Sequence, residues 1–152
     1  MDIFKEIKKE HEEFRKLSDE INETTDRAIK TRQSKFEKLY IDLTAHHEAE
    51  EAVLVPKLKE NKDTKDMGLE ILEEHHVIED LLEKLKNLPV DDETWIIKFG
   101  VMKEIMEHHL DEEENEISEE AHKQFDQKTL DSLGEQFEIE EQKQKEKLLS
   151  QK

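Results

Sequence analysis

Two pairs of residues, His46 with Glu50 and His109 with Glu113, are spaced four apart within stretches of helical periodicity. Residues at that spacing share one helix face, about 5–6 Å apart. Each pair also falls on an apolar seam. One seam runs Phe36, Leu39, Leu43, His46, Glu50, Leu54, and the other Phe99, Met102, Met106, His109, Glu113, Ile117. A chain built this way turns two imidazoles and two carboxylates into its own interior. Buried carboxylates need partners, and that need limits which folds are open to it.

Two further seams carry one histidine each: Ile7, His11, Phe14, Leu17, Ile21, and Ile71, Leu72, His75, Ile78, Leu82, Leu85. Laying His11 on His75 matches Ile7 with Ile71, Phe14 with Ile78, Leu17 with Leu81 and Ile21 with Leu85. Laying His46 on His109 matches Phe36 with Phe99, Leu39 with Met102, Leu43 with Met106 and Leu54 with Ile117, and it brings the glutamates into register. Aligning His47 with His108 instead sets Thr44 against Ile105 and Glu37 against Lys98, so the repeat selects one histidine from each doublet. Two such hairpins pack about an approximate twofold axis with four seams facing one interior.

The expected fold is all-α: an antiparallel up-and-down four-helix bundle with an additional C-terminal helix, in a single domain over 1–152. Helices are predicted at about 2–23, 35–58, 66–88 and 92–118, with the extra one at about 128–149. Ser34 and Glu37 read as a capping box opening the second helix, Asp91 or Asp92 as an N-cap for the fourth, and Pro56 as a bend or stop. Only three Gly and two Pro interrupt the chain, although 43% of its residues are charged. The net charge of −18 argues against nucleic acid and anionic membrane surfaces as partners. With no cysteine, no signal-like N-terminus in MDIFKEIKKEH and no apolar run of membrane-spanning length, a soluble cytoplasmic protein is expected.

Acidic residues fill 42 of 152 positions, so an isolated HxxxE means little, and such a pair is usually an exposed ion pair. His47, His76, His108 and His122 are read in that way, His47 and His76 with a supporting donor role as the alternative. Glu73 with His76 and Glu119 with His122 have ferritin-type ExxH spacing, but neither histidine lies on a seam. Seam, repeat and pairing agree for six residues: His11, His46, Glu50, His75, His109 and Glu113. Two first-row ions, each bound by two imidazoles and sharing two bridging carboxylates, would use all six and leave positions for a small exogenous ligand. Nitrogen and oxygen donors without sulfur suit iron or manganese, with zinc a further option. Glu79, one turn after His75, reads as an acceptor behind the ligands or a surface residue rather than a seventh ligand.

The segments KKEHEEFRKL, AHHEAEEAVLVPKL, EEHHVIEDLLEKL and EHHLDEEENEI, with the tail LDSLGEQFEIEEQ, resemble the hemerythrin-like HHE cation-binding family in the order H…HxxxEE…P…EH…HxxxEE. The resemblance implies two non-haem irons with an oxo or hydroxo bridge, spanned by Glu50 and Glu113. It implies binding of oxygen or nitric oxide for sensing, storage or transport. The alternatives it offers are a di-iron enzyme acting on peroxide, oxygen or nitric oxide, and an iron donor in iron–sulfur cluster repair. Oxygen-carrying members have HxxxH on the third helix, where this chain has His75 and Glu79, and they have Asp where this chain has Glu113. Four histidines with two glutamates are closer to the repair proteins, which typically carry a cysteine-containing N-terminal segment, whereas this chain has no cysteine at all. A metal-free acidic helical interaction module is the remaining reading, and the protein partner is open in every case.

Overall fold

The computed structural model describes residues 1–151. Among these, every regular element is helical: α1 Ile3–Asn22, α2 Ile29–Lys59, α3 Lys65–Lys86, α4 Trp95–Glu112, α5 Ser118–Gln124 and α6 Gln127–Ser150. A π-helical turn, Glu113–Ile117, joins α4 to α5 without leaving helical dihedrals, so the two form one rod. Helices α1 to α4 pack in a ring, each against the next and α4 back against α1. The result is an all-α up-and-down bundle, with α6 as the additional helix laid along α2 and α1.

Each seam turns polar at the same level, which divides the core into two apolar blocks. One block gathers the start of α1 (Ile3, Phe4, Ile7), the end of α2 (Leu54, Val55, Leu58), Ile71, Ile117 and the inner face of α6 (Leu130, Leu133, Phe137). The other holds Phe14, Ile21, Phe36, Leu39, Leu43, Ile78, Leu82, Leu85, Trp95, Phe99, Met102 and Met106. Between them lie the histidines and glutamates. The C-terminal helix docks closely because Gly134 leaves room for the N-terminus to cross it, and a Cβ there would stand 1.9 Å from the Met1 carbonyl oxygen. The Asp2 carboxylate then caps α1 by accepting from the Phe4 N–H at 2.7 Å.

The starts of the second and fourth helices depart from the sequence reading, and the fourth runs on through α5 to Gln124 rather than ending near 118. The second helix begins at Ile29 rather than near residue 35, so Ser34 and Glu37 lie inside it and form no capping box. The start is set upstream instead. The Thr25 hydroxyl accepts from the Arg27 N–H at 3.3 Å and opens a 3-10 turn, Asp26–Ala28, that feeds into α2. Arg32 then fixes this polar stretch from within. Its buried guanidinium donates to the Thr24 hydroxyl, the Thr24 carbonyl and the Val90 carbonyl, and lies over the Trp95 ring. The fourth helix starts at Trp95, because Asp92 spends its carboxylate closing the preceding turn onto the Thr94 N–H and hydroxyl. Pro56 lies in the last turn of α2, where the helix stops three residues later at Lys59.

Candidate metal centre

His11 comes from α1, His46 and Glu50 from α2, His75 from α3, His109 from the end of α4 and Glu113 from the π turn, and all six are buried. The four imidazoles are held alike. Each Nδ1–H donates to a carboxylate on a neighbouring helix: His46 to Glu10 at 2.9 Å, His109 to Glu74 at 2.7 Å, His75 to Glu51 at 3.0 Å and His11 to Glu114 at 2.9 Å. A donor so fixed leaves Nε2 as the nitrogen that a cation would take, in exchange for a proton where the ring is charged, and sets the plane of the ring, which is how metal-ligating histidines are commonly oriented. All four Nε2 atoms point inward. Those of His11 and His46 face one another at 3.2 Å. The Nε2 of His75 lies 3.2 Å from Glu50 and that of His109 lies 3.2 Å from Glu113.

The supporting carboxylates follow the repeat. Glu10 and Glu74 immediately precede the lone histidines, while Glu51 and Glu114 immediately follow the interior glutamates. The doubled glutamate of HxxxEE and the glutamate of EH were therefore the sequence signal for this ring. In a chain so acidic, an adjacent glutamate carries little weight on its own.

His47 stands elsewhere than expected. Read from the sequence as an exposed ion-pair partner, it is fully buried, stacked on His75 with ring centres 3.8 Å apart and edge-on to His109 at 5.8 Å. Its counterpart His108 is 73% exposed beside Glu112. His76 is exposed, and His122 is tied to Asp2 at 2.8 Å, far from the layer. Glu79 lies with Glu48 and Glu51 in a half-buried acidic group at the flank.

Charge within the layer is finely divided. Burial and the neighbouring Glu113 push Glu50 well above the usual carboxylate range. Burial acts on Glu113 in the same direction, yet Glu50, His109 and His11 together hold it well below that range. The His109 imidazole rises to about 10 against its burial, because Glu113 and Glu74 stabilise its charged form. Burial, reinforced by His11, drives His46 down to about 3, and burial with His75 and His109 beside it keeps His47 neutral.

Several buried donor and acceptor atoms make no hydrogen bond: Nε2 of His75 and of His109, both oxygens of Glu50 and of Glu113, and both ring nitrogens of His47. Leaving one such group unpaired costs about 1–3 kcal/mol. With His11 and His46 added, the donor atoms of the layer form two groups, His47, Glu50, His75, His109 and His11, His46, Glu50, Glu113. Within each group the atoms lie within 4.8 Å of one another, and Glu50 belongs to both. Imidazole and carboxylate donors at that density, without sulfur, fit first-row metal cations.

No characterised protein and no solved structure gave a significant match to the chain. The family model described as the Hemerythrin HHE cation binding domain matches residues 2–121, which takes in all four ring helices and every donor in the layer. This chain belongs to the hemerythrin HHE cation-binding family.

Proposed function

We propose that this is a non-haem di-iron protein that binds a small diatomic ligand, oxygen or nitric oxide, for sensing, storage or transport. The observation that carries this reading is the pair of overlapping buried donor groups joined at Glu50. His11, His46, Glu50, His75, His109 and Glu113 would hold the two irons, Glu50 and Glu113 would be the carboxylates shared between them, and an oxo or hydroxo group would be their further ligand. Bound iron supplies the electrons and the open coordination position that a diatomic ligand requires.

The chain's own residues set the conditions. Glu10, Glu51, Glu74 and Glu114 hold the rings so that Nε2 cannot turn away. Phe14 and Phe137 close against His46 edge-on at 5.0 and 5.4 Å and keep bulk water out. A cleft of about 210 Å³ between α1, α2 and α6 leads toward His46, with Glu10 and Glu141 at its inner end and Lys9 and Lys145 on its walls. The charge of −18 supports a role away from nucleic acid and anionic membranes. Among the described residues no helix is long and apolar enough to cross a membrane. The lack of cysteine supports a reducing compartment such as the cytoplasm.

The decisive experiment loads the protein with ferrous iron without air and then admits and removes oxygen or nitric oxide. An optical band that appears and fades with the ligand is expected, and irreversible oxidation on the first exposure would sink the reading. A second reading, as an enzyme or an iron donor, draws support from the His11–His46 group, which offers only two imidazoles and leaves its cation more open. Multiple turnovers of peroxide, oxygen or nitric oxide, lost in Glu113→Ala and kept in His108→Ala, would establish it.

A further inference from the structure

We infer that His47 is a fifth imidazole ligand, which completes one metal position from α2 and makes the two positions unlike. The inference rests on the di-metal reading and goes beyond the six residues that the repeat selects. Several separate observations meet at this residue. Its side chain is wholly buried, and neither ring nitrogen has a partner. It lies among donors: a nitrogen of His47, those of His75 and His109 and an oxygen of Glu50 are mutually within 4.8 Å. The ring is stacked 19° from parallel on His75, which Glu51 holds in place, so His47, with no partner to fix it, turns about its Cβ–Cγ bond to bring a nitrogen to the cation that His75 faces.

A packing role accounts for less. A buried aromatic filler at this position is cheaper as Leu or Phe, which bring no polar atoms, whereas an imidazole leaves two. Ligation removes the penalty at one of them. The location also has a structural cause. Helix α2 is covered by α1, α3 and α6, so the consecutive residues Ala45, His46 and His47 are all buried, while α4 packs chiefly on α1 and α3 and leaves His108 in solvent.

One cation is then held by three imidazoles, His47, His75 and His109, with Glu50. The other is held by His11 and His46 with Glu50 and Glu113. The third imidazole of the first position is drawn from α2, because α3 supplies only His75 and carries Glu79 one turn later.

The test titrates metal-stripped protein anaerobically with ferrous iron and counts retained ions, in wild type and in His47→Phe, His47→Ala and His108→Ala. His47→Phe keeps a flat ring on His75 and removes only the nitrogens. Two ions in wild type and His108→Ala, with one of the two weakened roughly tenfold or more in His47→Phe, are expected. Free imidazole should restore the lost ion in His47→Ala. Two ions held at wild-type affinity by His47→Phe would overturn the inference and leave the di-metal reading standing. A wild type that retains no iron would instead remove the reading beneath it. A measurement without any variant guards against misfolding: loading wild type with divalent cobalt should shift five imidazole sets in the proton spectrum, and four would count against His47.

Discussion

The first hairpin, α1 with α2, and the second, α3 with α4, carry the same pattern of apolar and ligand residues, yet their surroundings treat equivalent positions differently. Behind His11 the supporting Glu114 is ion-paired with Arg15, one turn along α1. Behind His75 the supporting Glu51 has Glu79 at the equivalent place on α3, and Glu48 beside it. Glu114 is accordingly held below the usual carboxylate range, by His11 and Arg15 acting against burial. Glu79 is raised by burial and by the repulsion of Glu51 and Glu48. The doublets diverge as well, with His47 inside and His108 outside. The repeat fixes which seams meet, and the flanking residues and α6 decide how each half behaves.

The largest effect should separate the members of one doublet. His109→Ala removes a donor from the cluster and should reduce bound iron by at least one ion per chain, whereas His108→Ala, changing an exposed residue, should leave metal content and melting temperature as they were. Metal analysis of the two purified variants reads this out. Gly134→Ala tests the helix that makes the halves unequal. The added methyl must displace the N-terminal backbone, and a loss of about 1–3 kcal/mol is expected in urea unfolding.

Next come the two flanking residues. Arg15→Ala frees Glu114 and loosens His11, which should weaken iron binding by roughly tenfold. Glu79→Gln removes a like charge, so it should stabilise the fold by a few tenths of a kcal/mol, approximately, without weakening the metal. Equal losses of affinity in both variants would erase the contrast between the halves.

The smallest effect lies at the N-terminal clamp. Burial works to lower the His122 pKa, but the Ser118 carbonyl and Asp2 raise it above its ordinary 6.5. Its contribution is therefore complete below pH 6.5 and fades as pH rises through the higher folded value. The Asp2 carboxyl, lowered against burial by Gln127, His122 and the Phe4 N–H, contributes above its ordinary 3.8 and loses that contribution as pH falls through the lower folded value. His122→Gln should flatten the alkaline side of the melting profile by a few tenths of a kcal/mol, roughly, since the ring is partly open to solvent.

The bundle was legible because each seam repeats at helical spacing and changes to polar residues at one level. The start of α2 was not, because what orders residues 24–33 is a buried Arg32 donating to backbone carbonyls, and apolar periodicity does not register such a plug. The layer of six was read from seam and repeat. His47 was misplaced by the same method, since the second hairpin served as its template and has no counterpart of α6 over its outer face. The carboxylates behind the imidazoles were present in the motif and passed over, because glutamate is too common in this chain for adjacency to stand out.

The most direct test of a two-cation centre in the buried layer is an anaerobic ferrous titration of metal-stripped protein that follows both retained iron and melting temperature. The proposed di-metal centre requires two ions per chain, one for each of the two buried donor groups that share Glu50. Binding to the folded state alone must stabilise it, by about 5–10 °C for each ion at hundredfold excess over its Kd. Protein that retains no stoichiometric iron and melts at an unchanged temperature would contradict a metal centre and leave an acidic helical bundle with a polar core.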